Sequence, residues 1–486
     1  MELTCCGESA VFPTLVASVG AGRVNASAVD AAVARVLRAR FAVGDLDPPA
    51  DSPWAALNES DIYAPSSLAL AREAARASVV LLDNGGRRMP LPWARPSLAG
   101  KALCVVGPLA NATRDFMGGY APTPKPGDIV SPLRAFTEAL AGTAKAVVYV
   151  PGCAPGDGVV CAALQGGLRA ALDACDAIAL VLGTSAYAQV AGAAKVNAAL
   201  EGEGRDRTTV ALAGQQGALL AAAAAAGKPL AVVVASGGMV DVGDGAAGAD
   251  ALLAAPFGGQ FAGDAIAAVV LGDENPAGRL TTTWYTTAAF AALGSLTNYS
   301  MRGRTYKFAG PAAARFAFGH GLSYSAFKYT GLVVTPAAPG PCDTLNVSVT
   351  LTNTAGPDGA EVAQLYTSFP GASVPQPLQS LVNWEKARIP AGGAVTLTLS
   401  ITPEDNAVLR EGDFVPVIEP GARSLWLGSS SDWRAAGAAG AFTIAGPTTP
   451  LATCSGSGAT PPAGVAHVWP RPELGWGGAA RWAQQT

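Results

Sequence analysis

The sequence predicts a two-part architecture: an α/β three-layer sandwich around a mostly parallel sheet, then an all-β sandwich of the fibronectin type III kind. Three observations carry this. Short, continuously apolar runs alternate with helix-like segments from about residue 66 to 285, the pattern of a parallel sheet covered on both faces. After Pro311 the hydrophobic period becomes two, with turns rich in Gly, Pro and Asp between the runs. The 486 residues exceed one ordinary domain, and half of them are hydrophobic, enough material for more than one core.

In chain order, residues 24–41 read as a helix: Ser27 is placed to cap it, Asp30 lies in the first turn, and Val29, Val33, Val36, Leu37 and Phe41 recur at helical spacing. A helix with one apolar stripe needs a partner, so this segment reads as the end of a larger element. A helix over 66–77 leads into a strand at 78–82. Further strands are expected at 102–107, 146–150, 177–183, 230–236 and 251–255, with helices at 132–140, 162–174, 210–226 and 260–271. Ligands bind beyond the carboxyl ends of such strands, which directs attention to the loops after Gly107, Gly183 and Ser236. Alternation over 345–353 and 394–401 belongs to the sandwich. The expected divisions are 1–60, an α/β domain at 61–290, a linker at 291–328, the β-sandwich at 329–445 and a flexible tail at 446–486.

Several function classes are excluded by composition. A net charge of −4 offers no footprint for a polyanion, so nucleic acid is not an expected partner. The longest apolar run, residues 218–226, is far short of the ~20 residues of a membrane span. Eight cysteines include no C-x-x-C pair and only two histidines accompany them, so a zinc site has poor material. Cys104 and Cys175 lie in apolar segments and read as buried thiols; Cys153 and Cys161 bracket a Pro/Gly-rich loop and are placed for a short-range disulfide. Five of the eleven asparagines, Asn25, Asn58, Asn111, Asn298 and Asn346, begin N-x-[ST] sequons, more than chance supplies and a sign of a secreted glycoprotein. The first residues, Met1 to Cys6, do not form a signal peptide, so the chain is either cytosolic or lacks its true N-terminus.

The most charged spot of the α/β region is Glu201-Gly202-Glu203-Gly204-Arg205-Asp206-Arg207, after the strand that ends at Gly183. A carboxylic acid beside a cation at a sheet edge is suited to general acid/base work. The plain alternative is a solvated charged loop that caps the next helix.

The wider chain decides between these. Leu70 to Ala75 with Val79 to Asn84, Gly107 to Thr113 with Gly118-Gly119-Tyr120, Ser236 to Asp241, Asn275 to Leu280 with Thr283-Trp284-Tyr285, Met301 to Phe308 and Phe318 to Tyr324 resemble, in order, successive motifs of glycoside hydrolase family 3. The branch resembled is that of plant-type β-xylosidases and α-arabinofuranosidases, and Gly152-Cys153 with Cys161 is similar to a cysteine pair of this branch. The resemblance implies a retaining exo-glycosidase that acts on β-xylosides, with α-arabinosides or β-glucosides as alternatives, needs no cofactor or metal, and takes an oligosaccharide or aryl glycoside as partner. The family motif "E-x-E-G-x-D-R" falls on residues 201–207, which implies Glu203 as general acid/base and Glu201 as the runner-up. Asp206 and Arg207 are read as structural partners.

By the same resemblance, the nucleophile is an aspartate on a preceding (β/α)8 barrel. Met1 to Gly7 is similar to a motif near the end of that barrel, which makes the helix at 24–41 its last and residues 1–60 a remnant. Ser431-Asp432-Trp433 mimics the nucleophile motif but lies at the end of the sandwich and reads as a decoy. The full-length protein is then expected outside the cell or in the wall. The rival reading is a catalytically inert or carbohydrate-binding protein. Other features read as structural: Gly258-Gly259 as close packing, His320 as a turn residue, and Trp284, Tyr285 and Trp384 as packing.

Overall fold

The structure, a computed structural model, describes residues 12–454 apart from 53, 87, 120, 122, 123, 126, 187–200, 202–206 and 296. The chain divides into two compact units, one up to Leu70 and one from Ala71 onward.

In the first unit, α1 spans Leu15–Gly20, α2 Ala26–Ala42, and α3 Glu59–Ile62. The expected helix at 24–41 is present but starts later, with Asn25 rather than Ser27 at the N-cap. Asn58 and Asp61 form a reciprocal capping box on α3. No residue of α2 is buried, and its apolar stripe, Val33 to Phe41, is exposed. The helix α4 follows at Pro65–Ser78.

The second unit holds a six-stranded sheet of β1 (Val80–Asp83), β2 (Ala102–Val106), β3 (Ala146–Val150), β4 (Ala177–Gly183), β5 (Leu230–Ala235) and β6 (Ala251–Ala255), in the spatial order 1-6-5-4-2-3. Only β1 runs antiparallel, against β6. Every residue of β2, β4, β5 and β6 is buried, which explains their unbroken apolar sequences. On one face, α6 (Leu168–Asp173) and α7 (Gln216–Ala225) pack Leu168, Leu172, Leu219 and Leu220 against Val106, Leu180 and Val232. The helices α5 (Pro132–Ala139) and α8 (Ala262–Leu271) pack against each other.

Two helices are shorter than the sequence predicts. The segment expected from 162 begins only at Leu168, because Gly167 takes a left-handed conformation at its N-cap. The segment expected from 210 begins at Gln216: Ala211 bridges to Asp241 in an extended stretch, and Gly214 then turns with positive φ. Cys104 and Cys175, read as thiols, are buried but bonded to each other, because β2 and the end of α6 bring their Cα atoms to 5.7 Å. Cys153 pairs with Cys161, and Cys342 with Cys454.

The region expected as a linker carries structure. After α9 (Thr287–Ala291), which ends where that region begins, it contains α10 (Thr305–Phe308) and β8 (Ala314–Phe316), which pairs with β7 (Trp284–Tyr285). The sandwich sets β13 (Ala394–Ile401), β10 (Leu345–Ala355) and β9 (Ala326–Thr335) against a sheet in the order β12 (Ser380–Ile389), β11 (Gly359–Ser368), β16 (Gly421–Gly428), β17 (Ala438–Ile444). Alternate residues such as Val347, Val349, Leu365, Leu399 and Leu427 fill its core. A small sheet joins β14 (Ala407–Leu409), β15 (Pro416–Ile418) and β18 (Thr449–Pro450). The stretch expected as a flexible tail from 446 is therefore ordered as far as the disulfide at Cys454; the rest of that expectation lies outside the described residues.

Candidate active site

The carboxyl ends of β4 and β5 build the rim. Gly183 closes β4 with φ 142, and a Cβ there would stand 1.8 Å from the Ala235 carbonyl, so only glycine lets the two strands end side by side. The buried Gln216 fixes this end: its Oε1 accepts from Gly183 N–H at 2.8 Å, and its Nε2 donates to the carbonyls of Val159 and Gly183. It thereby ties the rim to the loop closed by Cys153 and Cys161.

After β5 the chain turns through Ser236-Gly237-Gly238. Ser236 Oγ donates to the Gly238 carbonyl at 2.7 Å. The two glycine amides then point at Glu201: Gly237 N–H donates to Oε2 at 2.8 Å and Gly238 N–H to Oε1 at 2.9 Å. A side chain at residue 237 would collide with this carboxylate, its Cβ 2.7 Å from Oε2. Both Glu201 oxygens are thus engaged by backbone.

Arg207 stands beside this clamp, 12% exposed, with Nη1 3.8 Å from Glu201 Oε1. Its Nη2 donates to the Met239 carbonyl, whereas Nη1 is buried without a hydrogen-bond partner among the described residues. Burial lowers the pKa of the guanidinium, and the Glu201 charge offsets part of that.

Further along, Asp241 pins the same loop. It accepts from Thr287 N–H at 2.7 Å, Thr287 Oγ1 at 2.9 Å and Gly243 N–H at 3.1 Å, and pairs with Arg315 at 2.8 Å. Burial alone would raise its pKa, but the bonds from Thr287 and Gly243 and the Arg315 charge outweigh it and hold the carboxyl below its ordinary value.

Of the residues singled out by sequence, Glu201 and Arg207 meet at the rim, while Glu203 and Asp206 lie outside the described residues. Asp432 of the Ser-Asp-Trp triplet is engaged in its own turn, accepting from Arg434 N–H at 3.1 Å and pairing with its guanidinium at 2.7 Å. Sequence reasoning missed Gln216, whose signal is a polar residue at the start of a run of Leu and Ala. It also missed the Gly237 and Gly238 amides as the partners of Glu201. Among the described residues no group of three or more His, Cys, Asp or Glu is arranged to hold a metal.

The second unit thus joins a mostly parallel sheet with a glycine-built rim to a fibronectin-like sandwich. Residues 79–324 match the glycosyl hydrolase family 3 C-terminal domain and residues 361–431 the fibronectin type III-like domain. The chain belongs to glycoside hydrolase family 3. It is 35% identical over 327 residues to a beta-xylosidase/alpha-L-arabinofuranosidase of Medicago sativa subsp. varia, covering 64% of this chain and 38% of that one. A probable exo-1,4-beta-xylosidase of Aspergillus fumigatus is 30% identical over 409 residues, covering 79% and 49%. Among solved structures, a Listeria innocua beta-glucosidase in complex with glucose superposes with TM-score 0.70 at 26% identity, covering 89% of this chain and 57% of that one. A family 3 exo-beta-xylosidase bound to a xylobiose aziridine probe gives 0.68 at 25%, covering 82% and 51%. The chain spans about 38–54% of the curated relatives it matches.

Proposed function

We propose that this chain supplies the acid/base half of a retaining exo-glycosidase acting on β-xylosides, and on α-arabinosides as a second substrate class. The observation that carries the reading is the Glu201 clamp, which fixes the first carboxylate of the motif at the carboxyl edge of the sheet. With both oxygens occupied, Glu201 is suited to hold the loop, which leaves Glu203 as the group that protonates the leaving oxygen. The same residue then deprotonates the water that hydrolyses the glycosyl-enzyme. Such chemistry places the two carboxyl groups about 5–5.5 Å apart. The attacking carboxylate is assigned to none of these residues; by family pattern it is an aspartate of a (β/α)8 barrel.

The β-glucosidases among the structural relatives favour β-glucosides as a second reading of the substrate. An extracellular or cell-wall location is supported by three disulfides and by the exposure of all five sequon asparagines. The test is hydrolysis of aryl β-xylosides and β-glucosides by the 486-residue chain, alone and joined to a family 3 barrel. The expected outcome is negligible turnover alone, turnover with the barrel, preference for the xyloside, and loss on Glu203→Gln. Turnover by the isolated chain would overturn the division of labour.

A further inference from the structure

The segment after β5 holds more than one carboxylate. Its Gly237 and Gly238 amides bind Glu201, and its Met239 carbonyl accepts from Arg207 Nη2. Two residues on, Asp241 N–H donates to the Val210 carbonyl at 2.7 Å, and Asp241 bridges in parallel to Ala211. Glu201 and Arg207 flank residue 203 in the sequence, one on each side. Both flanks, and the chain that follows Arg207, are therefore fastened to the same five residues, 237–241.

Those five residues are themselves anchored through Asp241. Val240 and Val242, on either side of it, are buried in the core of the sheet domain. The carboxylate, in a residue only 8% exposed, reaches three separate places. Oδ2 accepts from Thr287 N–H and Oγ1 at the start of α9, and Oδ1 accepts from Gly243 N–H in its own turn and pairs with Arg315 of β8. Arg315 also stands 3.5 Å from Asp244, but that carboxylate is fully exposed and holds little by comparison. With its oxygens taken in this way, Asp241 acts through the segment rather than on a substrate.

A proton donor works only within hydrogen-bond reach of the departing oxygen, and a shift of about 1 Å can cost about 10²-fold in rate. We propose that Asp241 is a positioning residue for the acid/base step: by tying residues 237–241 to α9 and β8, it holds both flanks of Glu203 and so governs delivery of the proton. The proposal rests on the glycosidase reading for the identity of that step, whereas the fastening is a property of this chain alone.

Two measurements on Asp241→Asn test it, since asparagine keeps the shape but loses the charge and one acceptor oxygen. In the 486-residue chain, hydrogen exchange at the Gly237, Gly238 and Asp241 amides is expected to quicken by about 10-fold or more, with β4 and β5 unchanged. In the chain joined to a family 3 barrel, kcat on a methyl xyloside should fall by about 10–10²-fold with KM within about 2-fold. Formation of the glycosyl-enzyme from a dinitrophenyl xyloside, which needs no proton, should fall by less than about 2-fold. Thr287→Val, which removes one bond and keeps the charge pair, should give the same pattern at about 3-fold and serves where Asp241→Asn fails to fold. Unchanged exchange at Gly237 and Gly238 would overturn the proposal, as would equal losses on both xylosides, the mark of general loosening. Turnover that Asp241→Asn leaves unmoved on both xylosides would sink the positioning role and spare the glycosidase reading. Quickened exchange in the variant, with no turnover even by the unaltered chain joined to the barrel, would uphold the fastening and sink that reading.

Discussion

Two carboxylate–arginine pairs in the second unit have the same chemistry and opposite surroundings. At the rim, Glu201 and Arg207 stand 3.8 Å apart, and the carboxylate is committed to backbone amides. At the seam between the α/β sheet and the sandwich, Arg279 and Glu361 meet at 2.9 Å, exposed by only 8% and 4%. There Tyr329 OH also donates to Glu361 Oε1 at 2.9 Å. Burial pushes the Glu361 carboxyl up, against the pull of Arg279 and the Tyr329 bond. Nearby, Asn275 Nδ2 donates to Ser325 Oγ and the Asp358 carbonyl while its Oδ1 accepts from Ser323 Oγ and Tyr324 N–H. The seam spends its carboxylate on Arg279 and Tyr329 and fixes two sheets together, although among the described residues Arg279 Nε, like Arg207 Nη1, is buried without a hydrogen-bond partner. The rim spends its carboxylate on two backbone amides instead and holds its arginine at 3.8 Å.

The comparison is broken most directly at the seam. Glu361→Ala leaves Arg279 buried without its partner, an arrangement that costs about 3–5 kcal/mol. Denaturant melting should show that loss, and a cost below about 1 kcal/mol would mean that water reaches the pair. At the rim, Glu201→Ala leaves two amides without their acceptor and takes from Arg207 a carboxylate that stands 3.8 Å away, a looser pair than that of the seam, at a cost of about 1–3 kcal/mol. Hydrogen exchange should quicken at Gly237 and Gly238 before the global midpoint moves. Unchanged protection there would remove the clamp from the account.

Acid sharpens the contrast with a smaller effect. His320 at the seam lies 2.9 Å from the Leu82 carbonyl and stacks on Phe316, with Arg279, Asp83 and Asp432 as its charged neighbours. Burial lowers its pKa below the ordinary 6.5, helped by Arg279, despite the Leu82 bond and the two carboxylates. The folded protein therefore keeps it neutral while the unfolded chain takes up a proton. Stability is flat above pH 6.5 and falls as pH drops below it toward the folded pKa, by at most about 1.4 kcal/mol per pH unit. His320→Gln should remove that slope. The depressed Asp241 acts only later, its contribution being lost as pH falls below the ordinary 3.8.

What the sequence reveals follows from where the signal resides. β4 and β6 are legible to the residue because burial on both faces is written in their own side chains, and β3 because its five residues are an unbroken apolar run. The starts of α6 and α7 are not, because Gly167 and Gly214 act through backbone conformation rather than hydrophobic period. Cys104 and Cys175 look like two core residues until the fold closes the 71 positions between them. Glu201 is visible as a charge, but its partners are main-chain amides of glycines, which no side-chain pattern announces.

The central claim is that Glu203 donates the proton while Glu201 holds the loop. Leaving-group dependence in the chain joined to a family 3 barrel tests it most directly. Glu203→Gln should slow a methyl or alkyl xyloside, whose departing oxygen needs a proton, by about 10²–10⁴-fold, and barely slow formation of the glycosyl-enzyme from a dinitrophenyl xyloside. Equal losses on both substrates, or this selective pattern in Glu201→Gln instead, would contradict the account.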